Sequence, residues 1–183
     1  LPGRLTRWKG QEVFIDALNI LNQQYNIKSF LAIILGDDQG RKVYSKKLES
    51  LAERYRLNNN LIFVPKCEEM PIAYEMAHVV VSASIEPEAF GRISVEAQSM
   101  QKAIIASNIG GSKETIINDK TGFLIEAGNS NALAEKLIEA MNMDHWTLQS
   151  IGIEGRKNVL KKFDIDRMCF STFSEYKKLL EYH

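Results

Sequence analysis

The stretch from residue 78 to residue 100, HVVVSASIEPEAFGRISVEAQSM, decides how this chain is read. It opens on His78-Val79-Val80-Val81-Ser82, a short apolar run without polar alternation. Such a run reads as a strand buried on both faces, as the strands of a parallel sheet are. It closes on residues 91–100, which read as a helix. Between them lies the polar loop from Ser84 to Phe90, and Gly91 opens the helix. The unit is strand, loop, helix.

The same unit recurs outward in both directions. Upstream, Leu31-Ala32-Ile33-Ile34-Leu35 ends at Gly36, and Leu61-Ile62-Phe63-Val64 ends at Pro65. Downstream lie Ala103-Ile104-Ile105-Ala106 and the shorter Gly122-Phe123-Leu124-Ile125. Val13, Ala17, Leu18 and Leu21 share one face of a helix over 11–25, and Val43, Leu48, Leu51 and Tyr55 share one over 41–56. Further helices are expected at 112–118, 130–143, 148–162 and 166–181. Strand alternating with helix predicts an α/β fold, a Rossmann-like doubly wound parallel sheet. Length places residues 1–183 in a single domain. The last three helices follow one another without a strand, and are expected either to pack on an edge of the sheet or to reach toward a partner domain.

Composition narrows the function classes. Hydrophobic residues make up 45% and charged residues 25%, the balance of an ordinary globular protein. Basic and acidic residues number 23 each, so the formal net charge is zero and a general nucleic-acid binder is excluded. A local basic pocket for one small anion remains compatible with this balance. Cys67 and Cys169 are too few for a disulfide framework and lack metal-ligand spacing, which points to a reducing, cytoplasmic location. No apolar run approaches the roughly 20 residues that cross a bilayer, and no signal peptide is present. The chain opens at Leu1-Pro2-Gly3 without Met and reads as a piece of a longer protein.

In open α/β sheets ligands bind beyond the carboxyl ends of the strands, so the loops after the strands carry the functional question. The loop from Gly3 to Gly10 holds Arg4, Arg7 and Lys9 within six residues, a set that suits a diphosphate and equally a solvated basic turn. Gly36-Asp37-Asp38-Gln39-Gly40 reads as a turn and helix cap in preference to a metal site. Pro65-Lys66-Cys67 says little by itself. The loop before Gly91 is the informative one. A helix start offers free amides and partial positive charge, and phosphate is its natural occupant. Gly91 allows close backbone approach. Glu96, one to two turns into the helix, is placed to accept ribose hydroxyls, and Glu88, before it, those of a second polyol. An acidic loop followed by a capped helix is the plain alternative. Ser107-Asn108-Ile109-Gly110-Gly111 is either a second backbone cradle or a tight turn.

Taken together, these segments resemble the C-terminal domain of retaining glycosyltransferases of the GT-B architecture, in the large family that holds sucrose synthases and bacterial mannosyl transferases. Gly3-Arg4-Leu5 with Lys9-Gly10, Glu88-Ala89-Phe90-Gly91 through Glu96-Ala97, Ile104-Ile105-Ala106-Ser107 through Gly110-Gly111 and Glu114, and Asp119-Lys120-Thr121-Gly122-Phe123-Leu124 match its motifs in order. The short start departs from the pattern: only Leu1 and Pro2 remain of the first strand.

The resemblance implies roles. Arg4 and Lys9 bind the donor diphosphate. Phe90, Gly91, Arg92 and Ile93 lie against phosphates and sugar. Glu96 takes the ribose, Glu88 the transferred sugar, and Lys66 lies near the base. It also implies hexosyl transfer from a nucleoside diphosphate sugar with retention, needing no metal and no cofactor. Catalysis is then charge stabilisation at the leaving diphosphate by Arg4 and Lys9. Glu88 resembles the attacking carboxylate of retaining glycosidases, but the resemblance favours sugar binding and orientation. The expected partners are a nucleotide-sugar donor and an N-terminal acceptor domain absent from this chain, with an acceptor such as a lipid or polysaccharide precursor. Peripheral association of the full-length enzyme with the inner face of the membrane is compatible with this. Rival readings are a GT-B epimerase and a non-catalytic nucleotide-sugar-binding module. Trp8 and Trp146 read as packing residues, and His78, His145 and His183 have no partner visible in sequence.

Overall fold

The computed structural model describes residues 1–181, and His183 lies outside the described residues. In order, its elements are α1 (Gln11–Gln23), β1 (Ala32–Leu35), α2 (Lys42–Arg54), β2 (Leu61–Val64), α3 (Met70–Met76), β3 (Val79–Ser82), α4 (Arg92–Ser99), β4 (Ala103–Ser107), α5 (Ser112–Thr115), β5 (Phe123–Ile125), α6 (Ser130–Asn142), α7 (His145–Lys162) and α8 (Ile165–Glu181). All strand pairings are parallel. Ala32 faces Leu61 in the β1 and β2 pair, and β3, β4 and β5 form a second sheet with Val79 opposite Ala103 and Ile105 opposite Phe123.

The expected first strand is reduced to one parallel bridge, Pro2 to Leu35. The Gly3 amide donates to the Leu35 carbonyl (2.8 Å), and the Leu35 amide donates to the Leu1 carbonyl (3.0 Å). Pro2 has no amide to donate, so the segment pairs with β1 and extends no ladder to β3. The parallel α/β class holds, but as two sheets flanking this stub instead of one continuous sheet.

Both faces of the strands are covered. Val81, Ala103 and Ile105 join the larger core with Ile34 and Leu61 from the other sheet and with residues of α1 and α6. Val80, Ile104 and Ala106 alternate with them and pack in a smaller cluster with Tyr74, Ile93, Ala97 and Ile116. This two-residue period with apolar side chains on both faces is why the strands read as unbroken apolar runs.

Several boundaries differ from the sequence expectation. α3 was not expected, although Pro71 sits in its first turn, where a missing amide costs nothing. α5 ends at Thr115 instead of residue 118, because Ile116 turns extended and is buried in the smaller cluster. α7 starts at His145, three residues early, because the Asp144 side chain accepts from the Thr147 amide and caps it. Val43 is 88% exposed in the first turn of α2, while Leu48, Leu51 and Ala52 form the buried face. Trp146 is 77% exposed, so it is not a packing residue. Of the last three helices, α6 packs on α1 and α7 packs on α4. α8 has no buried residue and presents Phe170, Phe173, Tyr176, Leu179 and Leu180 to the outside. Among the described residues no helix is long and apolar enough to cross a membrane.

Candidate functional site

Four of the loops that follow strands meet at one edge. The loop after the Pro2 bridge touches the loop after β3 along its length. The Ile85 amide donates to the Trp8 carbonyl (2.8 Å). Gly10, at φ 70°, lies so close that a Cβ would sit 1.8 Å from the Ala83 carbonyl oxygen. The Leu5 amide donates to the Asp37 carbonyl (3.0 Å), which ties in the loop after β1. The Gly111 amide donates to the Glu88 carbonyl (2.7 Å), which ties in the loop after β4.

This last contact decides the reading of the glycine pair. A Cβ on Gly110 would lie 2.4 Å from the Glu88 carbonyl oxygen, and one on Gly111 would lie 2.4 Å from the Phe90 carbonyl carbon. The pair packs backbone against backbone under residues 88–90, so it braces the acidic loop from below.

At one end of that loop, Lys9 and Glu88 form an ion pair of 2.7 Å between side chains that are 10% and 17% exposed. The Ser84 hydroxyl donates to the same Glu88 oxygen, Oε1, at 2.5 Å. Glu88 Oε2 has no partner among the described hydrogen bonds. The Lys9 ammonium also lies 4.5 Å from the centre of the Trp8 ring, and the Arg4 guanidinium 5.8 Å from it. Trp8 therefore lies within cation–π reach of both cations that sequence assigns to a diphosphate, which is more than a packing role. Arg4 itself is exposed, and its carbonyl accepts from Gln11 Nε2 (2.8 Å), which fixes its backbone.

At the other end stands Glu96. Its Oε1 accepts from Arg92 Nη2 (2.9 Å) and Nε (3.2 Å), and its Oε2 accepts from the Tyr74 hydroxyl (2.7 Å). Burial, and then the hydrogen bond to Glu96, push the Tyr74 hydroxyl well above the usual phenol range. Between the two carboxylates lies the start of α4, capped by Gly91 at φ 74°. The amides of Arg92 and Ile93 have no acceptor among the described hydrogen bonds, as expected for a first helical turn. Ile93 is buried and Phe90 is exposed, its ring edge-on to Phe163 at 5.6 Å.

The structure thus brings Arg4, Lys9, Glu88, Phe90, Gly91, Arg92, Ile93 and Glu96 to one edge. Lys66 stands apart: its ammonium pairs with Glu68 in its own loop at 2.8 Å, with both side chains exposed. Asp37 and Asp38 are engaged in their turn, accepting from the amides of Gln39 and Gly40 at 2.8 Å each. Sequence reasoning missed Tyr74, because it lies on a seven-residue helix outside every loop considered.

The fold and site define a class, an α/β domain that presents a helix start between two carboxylates and two cations. The chain matches the family model described as glycosyl transferases group 1 over residues 1–158, and it belongs to that family. It is 30% identical over 180 residues to the capsular polysaccharide biosynthesis glycosyltransferase CapM of Staphylococcus aureus, covering 98% of this chain and 45% of CapM. A glycosyltransferase from Rickettsia africae superposes with a TM-score of 0.92 at 32% identity, over 100% of this chain and 47% of that one. Anabaena HepE in complex with UDP and glucose superposes with a TM-score of 0.85 at 29% identity, over 94% and 47%. The chain spans about half the length of these relatives. Its architecture is that of the Rossmann-like C-terminal domain of GT-B glycosyltransferases.

Proposed function

We propose that this chain is the donor-binding half of a retaining glycosyltransferase and takes a nucleoside diphosphate sugar along the segment from Glu88 to Glu96. The observation that carries the reading is the start of α4, with unpaired amides, set between a carboxylate paired to Lys9 and a carboxylate paired to Arg92. The diphosphate sits at the helix start against Arg4 and Lys9. The ribose diol replaces Arg92 on Glu96, and the sugar meets Glu88.

The chemistry follows from that placement. The anomeric carbon loses its bond to the diphosphate, and negative charge grows on the departing oxygen. Arg4, Lys9 and the amides of Arg92 and Ile93 stabilise that charge without a metal ion or cofactor. An acceptor hydroxyl attacks from the face the diphosphate leaves, and a phosphate oxygen takes its proton. Glu88 orients the sugar and forms no covalent bond. The acceptor is expected from a second, N-terminal half, and the exposed apolar face of α8 suits contact with it.

HepE forms complexes with UDP and with UDP-glucose, which makes uridine the first base to try here. The test is thermal shift of the 183-residue chain against UDP, GDP, ADP and their hexose derivatives. A raised melting temperature with one nucleotide series supports the reading, and no shift with any opposes it. The same reading expects this chain alone to bind donor and transfer nothing, so hexose transfer to a saccharide or lipid acceptor by these residues would contradict it.

A further inference from the structure

We propose that Tyr74 is a positioning residue for ribose recognition: its buried hydroxyl holds the Glu96 carboxylate in one rotation, so that the lone pairs left on its two oxygens stand in a fixed relation for a diol. The inference rests on the reading of Glu96 as the ribose-binding group.

The geometry separates the two oxygens of Glu96 sharply. Oε2 accepts from Tyr74, a residue only 4% exposed and packed among Val80, Ile93, Ala97 and Ile104. Oε1 accepts from Arg92, whose side chain is 82% exposed. The first partner is locked by its surroundings; the second is a mobile surface group that a ligand displaces at little cost. The terminal torsion of a glutamate is broad and nearly free, so a lone carboxylate presents its lone pairs in many planes. A diol needs two acceptors in a fixed relation. The Tyr74 hydroxyl can act only as donor toward an ionised carboxylate, which accepts and never donates. It therefore fixes the plane of the group and still leaves lone pairs on both oxygens. Tyr74 also reaches across from α3, 22 residues away in sequence, so the anchor does not move with α4.

The test compares the affinity of each of UDP, GDP and ADP with that of its 2′-deoxy counterpart, by calorimetry on the 183-residue chain. The wild-type chain is expected to prefer the ribose form of the nucleotide it binds by about tenfold or more, as hydrogen bonds to a charged group imply. Glu96→Gln should erase most of that preference. Tyr74→Phe should reduce it by about fivefold, with the affinity for inorganic pyrophosphate unchanged, a split that a merely structural role would not produce. If Tyr74→Phe keeps the wild-type preference while Glu96→Gln loses it, the role of Tyr74 is overturned and the ribose reading survives. If Glu96→Gln also keeps it, or the wild-type chain binds none of the three, the ribose reading fails and takes the proposal with it. Should Tyr74→Phe fail to fold, Tyr74→Met, a smaller and flexible side chain that adapts to irregular gaps, removes the donor and reads the same ratio.

Discussion

Lys9 and Glu88 show at the residue scale what the site stores before any ligand arrives. Two opposite charges are held with little water around them, and Ser84 accounts for one further bond to Glu88. Such a pair is costly to break from one side only, because the partner left behind stays desolvated. Lys9→Met should therefore destabilise the fold by about 1–3 kcal/mol, and adding Glu88→Gln should recover part of that loss. Urea unfolding of the two single variants and the double variant checks the coupling. Gly10→Ala should be worse. Its Cβ would meet the Ala83 carbonyl at 1.8 Å and its φ of 70° strains any other residue, so about 3 kcal/mol or more is expected by the same measurement. At this scale Glu88 and Glu96 stood out in the sequence through the motifs around them, since two glutamates eight residues apart are a weak signal alone. Tyr74 was not, since its partner lies on another element and no local pattern announces a contact made only by folding. Lys66 was legible as a cation but not as one spent on Glu68.

At the scale of elements, the strands were legible because burial on both faces leaves unbroken apolar runs, and β4 has all five residues buried. The helices were legible where one face is buried, as in α1 and α6. Their ends were less so. The Asp144 cap of α7 and the short α3 depend on single side chains and one proline, signals too small for periodicity to carry. The cap of α6 gives a prediction here. The Asn129 side chain accepts from the Ala132 amide at 2.9 Å, and α6 packs on α1 and buries Leu133, Ala134 and Leu137. Asn129→Ala should cost about 1 kcal/mol, visible as a lower urea midpoint with an unchanged slope. The glycine pair before α5 was ambiguous in sequence for a physical reason: a brace and a cradle both need bare backbone, and only the backbone of residues 88–90, which an added Cβ would meet at 2.4 Å, tells them apart.

The whole molecule sets the proposed donor-binding edge on two parallel sheets, with the apolar face of α8 uncovered. α8 shows how far sequence reached: a sheet edge and a partner half were both legible as its destination, and among the described residues it buries no side chain. Because those side chains are exposed, Phe173→Ser with Leu180→Ser should leave the unfolding free energy of the 183-residue chain within about 0.5 kcal/mol of wild type. Light scattering should show less self-association at high concentration than in the unaltered chain. The central claim concerns the edge where four loops bring two cations and two carboxylates around the start of α4. Calorimetric titration of UDP into this chain and into the Arg4→Ala, Lys9→Ala double variant tests that claim most directly. Saturable binding of one UDP per chain, weakened by at least about tenfold in the variant, is the predicted result. Equal affinity in both, or no binding to the wild-type chain by any of UDP, GDP and ADP, would contradict it.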